Sequence, residues 1–165
     1  MCDTTADMYR FGWDERNGGN ISYLLDTEAV ADSLDLNQVV RIIAAGFEAK
    51  ALIGQIFIVT GTGKSFKNSR VDPENSPGII RVAKDGATAE LFWGYSDGGT
   101  FTSELPAHFM SHMARLAVDP QSSMVLHRHP AGTPVMNDIH ELDEKSLLIH
   151  YGKCVRNVLL YSRTV

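Results

Sequence analysis

The sequence predicts a layered α/β domain built on a largely antiparallel or mixed sheet, not a doubly wound parallel one. Three observations point there. Short apolar runs of strand length recur at 21–25, 56–60, 78–83, 87–93 and 123–126. Two of these runs flank Lys84-Asp85-Gly86, a hairpin signal that makes neighbouring strands antiparallel. Helical spacing occurs in only two or three segments, too few to connect every strand by a helix. No repeat, linker or low-complexity block divides the 165 residues, and that length suits one domain with a sizeable core.

The elements follow in order. A first helix is expected almost at the first residue, short and uncapped, with Met8, Phe11 and Trp13 as its apolar positions. Gly12 to Asn20 then reads Gly-Trp-Asp-Glu-Arg-Asn-Gly-Gly-Asn, a tight turn around two glycines that enters the strand Ile21 to Leu25. Asp26 to Leu36 is acidic and reads as a connector. Val40, Ile43, Ala44, Phe47 and Ala51 have helical spacing, which predicts a helix over 37–52 ended by Gly54. Ile56 to Thr60 reads as a buried strand, and Val71 to Pro77 as a polar loop. A helix capped by Ser103 or Thr102 carries Pro106 in its first turn, then Leu105, Phe109, His112, Met113 and Leu116 at helical spacing. Asp119-Pro120 stops it.

Three stretches could carry chemistry. His127-Arg128-His129 lies at the exit of the strand 123–126, so two imidazoles emerge on one face with Arg128 turned away. Paired imidazoles suit a divalent metal such as zinc, although two histidines can also simply end a surface strand. Glu104 is a carboxylate that could act as an acid/base beside them. Gly61-Thr62-Gly63-Lys64 follows a strand and could offer amides, a hydroxyl and a cation to one phosphate; the Gly-x-x-x-x-Gly-Lys spacing of nucleotide sites is absent. The Asn17–Asn20 turn could cradle an anion or be an ordinary turn. His108 and His112 lie four apart on the helix, but Phe109 stands where a helical zinc motif needs glutamate, so they read as packed or surface histidines.

Composition narrows the classes. Charged residues make up 21% and hydrophobic ones 44%, which places the chain among globular proteins rather than disordered ones. A net charge of −5 disfavours a general nucleic-acid or anionic-membrane binder. Cys2 and Cys154 have no metal-ligand spacing and read as free thiols of a reducing compartment. Neither a signal peptide nor a membrane-spanning run is visible, so the expectation is a soluble, cytoplasmic protein.

Four runs together carry a resemblance: 12–20, Ile58-Val59-Thr60-Gly61-Thr62-Gly63-Lys64, Thr102-Ser103-Glu104-Leu105-Pro106-Ala107-His108, and His127-Arg128-His129. In order and spacing they resemble the class II aldolase/adducin-like family, and within it the enzymes that split L-rhamnulose 1-phosphate. The similarity spans Met8 to about Ser146. It implies a central, mostly antiparallel sheet covered by helices, a homotetramer, and zinc-dependent cleavage to dihydroxyacetone phosphate and L-lactaldehyde in rhamnose catabolism. It implies His127 and His129 as zinc ligands and Glu104 as the acid/base. Asn17, Gly19, Asn20, Thr62, Gly63 and Ser103 would serve the substrate phosphate, Asn20 as a support of the site.

The family places a third zinc histidine further along a longer chain. Only His140 and His150 remain here, and neither stands in that place. The expectation is therefore a single incomplete domain over 1–165, family-like to about 146, with an atypical tail over 147–165 that a shifted reading frame would explain, and a clipped start. Impaired turnover would follow. The alternatives are a non-catalytic remnant or adducin-like structural module without metal, and another reaction on the same fold, such as sugar-phosphate epimerisation.

Overall fold

Among the described residues, 1–128 of this computed structural model, six strands form one sheet. In chain order the elements are α1 (Cys2–Arg10), β1 (Asn20–Leu25), α2 (Thr27–Ala31), β2 (Arg41–Ala44), β3 (Ile56–Thr60), β4 (Pro77–Val82), β5 (Thr88–Gly94), α3 (Leu105–Leu116) and β6 (Met124–His127). The spatial order is β2-β5-β4-β3-β1-β6, and every neighbouring pair is antiparallel. The expected antiparallel sheet is thus present, and β1 sits between β3 and β6.

Strand alternation sorts the side chains. Across the ladders Ser22 faces Val59, Leu24 faces Phe57, and Asn20 faces His127. These residues share a sheet face with Ile80, Val82, Ala89 and Leu91, which form the main core with Leu105 and Phe109 of α3. The Phe57 ring packs on Phe109 and His112 at centroid separations of 5.4 and 4.8 Å. On the other face Ile21 joins Met8 of α1 and Phe66 in a smaller cluster.

Local chemistry explains most boundaries. In the β4–β5 hairpin the Asp85 carboxylate accepts from Ala87 N and Thr88 N, both at 2.9 Å, and Gly86 takes a left-handed φ of 70°. Pro106 in the first turn of α3 sacrifices no helical bond. Leu105, His108, Phe109 and His112 give that helix its buried face. The start of α3 differs from expectation. Glu104, not Ser103, holds the N-cap position and makes no side-chain cap; the Thr102 hydroxyl accepts from Glu104 N at 3.2 Å.

Other expectations are corrected. The predicted helix over 37–52 is instead β2 plus a single 3₁₀ turn, Lys50–Leu52. Val39-Val40-Arg41-Ile42-Ile43 is dominated by β-branched residues, which favour a pleated edge. The free edge of β5 accepts that run: Ile43 packs on the core while Ile42 points out, 63% exposed. The connector over 26–36 contains α2, because the Asp26 side chain accepts from Ala29 N at 2.9 Å and caps a short helix. Helix α1 starts uncapped, as expected, but stops at Arg10; of the three expected apolar positions Met8 and Trp13 join the cluster and Phe11 is largely exposed.

One irregularity shapes the site. Backbone pairing of β1 with β3 stops at Ser22 and Val59. Beyond it the buried Thr60 hydroxyl takes over, accepting from Ile21 N at 3.0 Å and donating to Ile21 O at 3.3 Å. The Thr60 carbonyl meanwhile accepts from Thr102 N at 2.9 Å. The end of β3 therefore turns away from β1 and toward the segment that leads into α3.

Candidate functional site

Three element ends converge beside this opening: the first residue of β1, the last residue of β6 and the entrance to α3. Asn20 and His127 are register partners, and Asn20 Nδ2 lies 3.4 Å from His127 Nδ1. The same amide nitrogen donates to Gly18 O at 3.3 Å. From the α3 entrance the Glu104 carboxylate reaches the His127 imidazole, an ion pair when that ring is protonated. The His127 and Glu104 side chains are 39% and 41% exposed, so a small molecule could reach both. Arg128 is turned away, as strand alternation requires; its guanidinium lies 4.3 Å from the Trp13 ring centroid.

Behind the pair runs a buried polar chain. Asn20 Oδ1 meets His108 Nε2. Ser22 Oγ lies 2.7 Å from His108 Nδ1 and 2.8 Å from His112 Nε2. Asn20, Ser22, His108 and His112 are all buried. Loss of hydration pushes both histidines from 6.5 down to about 4. At His108 the Glu104 carboxylate opposes that shift and His127 adds to it; at His112 the neighbouring His108 adds to it. Both rings are neutral near pH 7. Of the packed and surface alternatives the packed one holds, and what the histidines pack around is a serine in the middle of a strand.

The loops expected to bind phosphate are tied together at this end of the sheet. Phe66 N donates to Asp14 Oδ2 at 2.8 Å, joining the 61–66 loop to the 12–20 segment. Thr62 N donates to Thr100 O at 2.9 Å, joining the same loop to the approach of α3. Asn17, Thr62, Gly63 and Ser103 are exposed on these loops. Among the described residues, no hydrogen bond engages the Thr62 or Ser103 hydroxyl, the Asn17 carboxamide or the Gly63 amide.

Some expected roles change. Lys64 is not a free cation: its ammonium pairs with Asp97. At the entrance to the Asn-Gly-Gly-Asn turn, left-handed backbone falls on Arg16 (φ 53°) and Asn17 (φ 56°), not on Gly19. Gly19 is needed for space, since a Cβ there would stand 2.7 Å from Phe66 Cε2. It is buried, so only its backbone can serve a ligand. The Asn20 side chain is buried and engaged with Gly18, His108 and His127, so it does not face solvent.

His129, His140, His150 and the tail over 147–165 lie outside the described residues, and so does Cys154. Among the described residues no three His, Cys, Asp or Glu side chains group to hold a metal ion. His127 fits zinc in kind, a partly exposed imidazole beside a carboxylate. Sequence reasoning missed Ser22, Thr60, Asp14 and the Arg128–Trp13 contact. Ser22 and Thr60 sit in or at the end of apolar strands, and a polar residue on a core face was the signal available. No described helix is long and apolar enough to cross a membrane.

Residues 1–157 match the family described as the class II aldolase and adducin N-terminal domain. The rhamnulose-1-phosphate aldolase of Listeria monocytogenes is 53% identical over 146 residues, 88% of this chain and 54% of that protein. That of Enterococcus faecalis is 52% identical over 145 residues, covering 88% and 52%. The fold is shared with the crystal structure of a sugar-phosphate aldolase from Thermotoga maritima, at a TM-score of 0.71 and 24% identity, over 97% of this chain and 63% of that one. The chain spans about half the length of the curated relatives it matches. On the extent of the family match, the chain belongs to the class II aldolase and adducin N-terminal domain family.

Proposed function

We propose that these residues carry the acid/base and phosphate-binding part of a zinc-dependent aldolase, a lyase that cleaves L-rhamnulose 1-phosphate to dihydroxyacetone phosphate and L-lactaldehyde. The convergence of Glu104, His127 and Asn20 at one open end of the sheet supports this most strongly. The names of the relatives support the substrate. In the cleavage direction the bond between C3 and C4 breaks as the C4 hydroxyl gives up its proton to solvent and becomes the aldehyde of lactaldehyde. The electron pair stays on the dihydroxyacetone phosphate carbon as an enediolate, and Glu104 delivers a proton to that carbon. A carboxylate beside an imidazole, half open to solvent, can give and regain such a proton. His127 and His129 would hold the zinc, with further donors from beyond this stretch; zinc would supply Lewis-acid polarisation of the substrate oxygens. The exposed hydroxyls of Thr62 and Ser103, the Asn17 carboxamide and the Gly19 and Gly63 backbone would bind the phosphate, with Asn20 holding His127 from behind. The assembly proposed is a cytoplasmic homotetramer, which sedimentation velocity would measure.

The decisive comparison is lactaldehyde release by the parent protein and by Glu104→Gln, with zinc content measured in parallel. Loss of the acid/base should lower kcat by about 100- to 10 000-fold and leave zinc content unchanged. Full activity in Glu104→Gln would sink the assignment of Glu104. A folded parent with neither zinc nor activity would leave a non-catalytic, adducin-like module.

A further inference from the structure

Two histidines one turn apart on α3 both address a single serine in β1, and neither ring is used by the chemistry above. We propose that His108 is a positioning residue: with Ser22 and His112 it forms a one-way hydrogen-bond chain that clamps the Asn20 amide behind His127. The clamp matters to turnover only if the proposed aldolase site is right; its existence does not depend on that reading.

The direction of the chain follows from donor and acceptor inventory. The Asn20 amide nitrogen faces Gly18 O, which can only accept, so the amide oxygen must be the atom that meets His108. That oxygen needs a donor, and His108 Nε2 therefore carries the ring proton. The neutral ring then has only a lone pair at Nδ1, and the Ser22 hydroxyl must donate into it at 2.7 Å. Its single proton spent, Ser22 can only accept from His112, so His112 Nε2 carries the second ring proton at 2.8 Å. The chain ends at His112 Nδ1, a buried acceptor with no hydrogen-bond partner among the described residues. Reversing any link would set two donors or two acceptors against each other in a buried place. A hydrophobic side chain at 108 would fill the same volume without holding Asn20. The imidazole is there for its two distinct nitrogens.

The test is NMR on the purified chain. Long-range ¹⁵N correlation reads the tautomers, and hydrogen exchange reads the Asn20 side-chain amide. Both His108 and His112 are expected as Nε2–H tautomers in the parent protein at neutral pH. His108→Leu should speed exchange of the Asn20 amide by about two- to tenfold, the factor that corresponds to losing one net hydrogen bond. His108→Gln, which can still donate to Asn20, should restore much of the protection. An Nδ1–H tautomer at His108 overturns the inference, and so does an Asn20 amide indifferent to His108→Leu. The tautomer measurement needs no variant, so a poorly folding His108→Leu leaves the inference open to refutation. A parent without aldolase activity refutes the proposed function and leaves these two readouts to judge the clamp. In an active protein the clamp predicts that His108→Leu lowers kcat far more than it changes KM, and that His108→Gln recovers it; equal kcat in parent and His108→Leu also counts against it.

Discussion

His108 and His112 are held neutral by burial, and that has a consequence for stability. In the unfolded chain each imidazole takes a proton near pH 6.5. In the folded chain each resists until about 4. Between these values the unfolded state binds more protons, so stability falls as the pH drops. Their contribution is fully present above pH 6.5 and is lost progressively toward pH 4. Each histidine adds a slope of up to about 1.4 kcal/mol per pH unit inside that window. Urea unfolding of the parent should lose stability steeply from pH 6.5 downward, and His112→Leu should flatten the curve. An unchanged slope in His112→Leu would mean that this ring charges freely in the folded state. The helical spacing of these histidines was legible in the sequence, which left packing and surface exposure both open; the fold buries them. The partner was not legible, because Ser22 lies 86 and 90 residues away and nothing local marks it.

Elements were legible where local chemistry and tertiary context agreed. Lys84-Asp85-Gly86 forced a hairpin, and Pro106 with its apolar stripe forced a helix. Residues 37–52 failed because a few apolar positions fit a helical period while the β-branched run around Ile42 fits a strand. Only the open edge of β5 decides between them, and an edge is a property of the assembled sheet. The meeting of β1 and β3 is a similar case. Thr60 looks like the last residue of a strand, yet its hydroxyl completes the ladder by serving both polar groups of Ile21. Thr60→Val keeps the shape and deletes both bonds. It leaves Ile21, 1% exposed, with an amide and a carbonyl unserved. The expected loss is about 1–3 kcal/mol in denaturant unfolding. Thr60→Ser, which keeps the hydroxyl, should fall well short of that; a Thr60→Val protein as stable as the parent would mean that water serves Ile21 as well.

At the scale of the whole unit the site exists because the sheet is wound out of sequence order. β6 crosses to pair with β1, which brings His127 beside Asn20, 107 residues earlier in the chain. The individual motifs were legible as residue types, and the family resemblance implied a common role for them. Their meeting could not be read from spacing, since no local rule fixes which strand β6 joins. Three of the ties that hold β6 among the described residues are its ladder to β1, the contacts of His127, and Arg128 against Trp13 on the far side. The third tie is separable from the chemistry, because Arg128 points away from Glu104 and Asn20. It also couples β6 to the 12–20 segment, whose other end is anchored by Asp14 to the 61–66 loop. Arg128→Ala should cost about 0.5–1 kcal/mol, the worth of a partly exposed cation–π contact. It should also shift Trp13 fluorescence and speed amide exchange in β6 while leaving α3 protected. Arg128→Lys keeps the charge but loses the planar stacking, and should fall between the two. If Arg128→Ala leaves β6 exchange untouched, the strand is held without that contact, by its ladder and the contacts of His127, and the 12–20 segment and β6 reach the site independently.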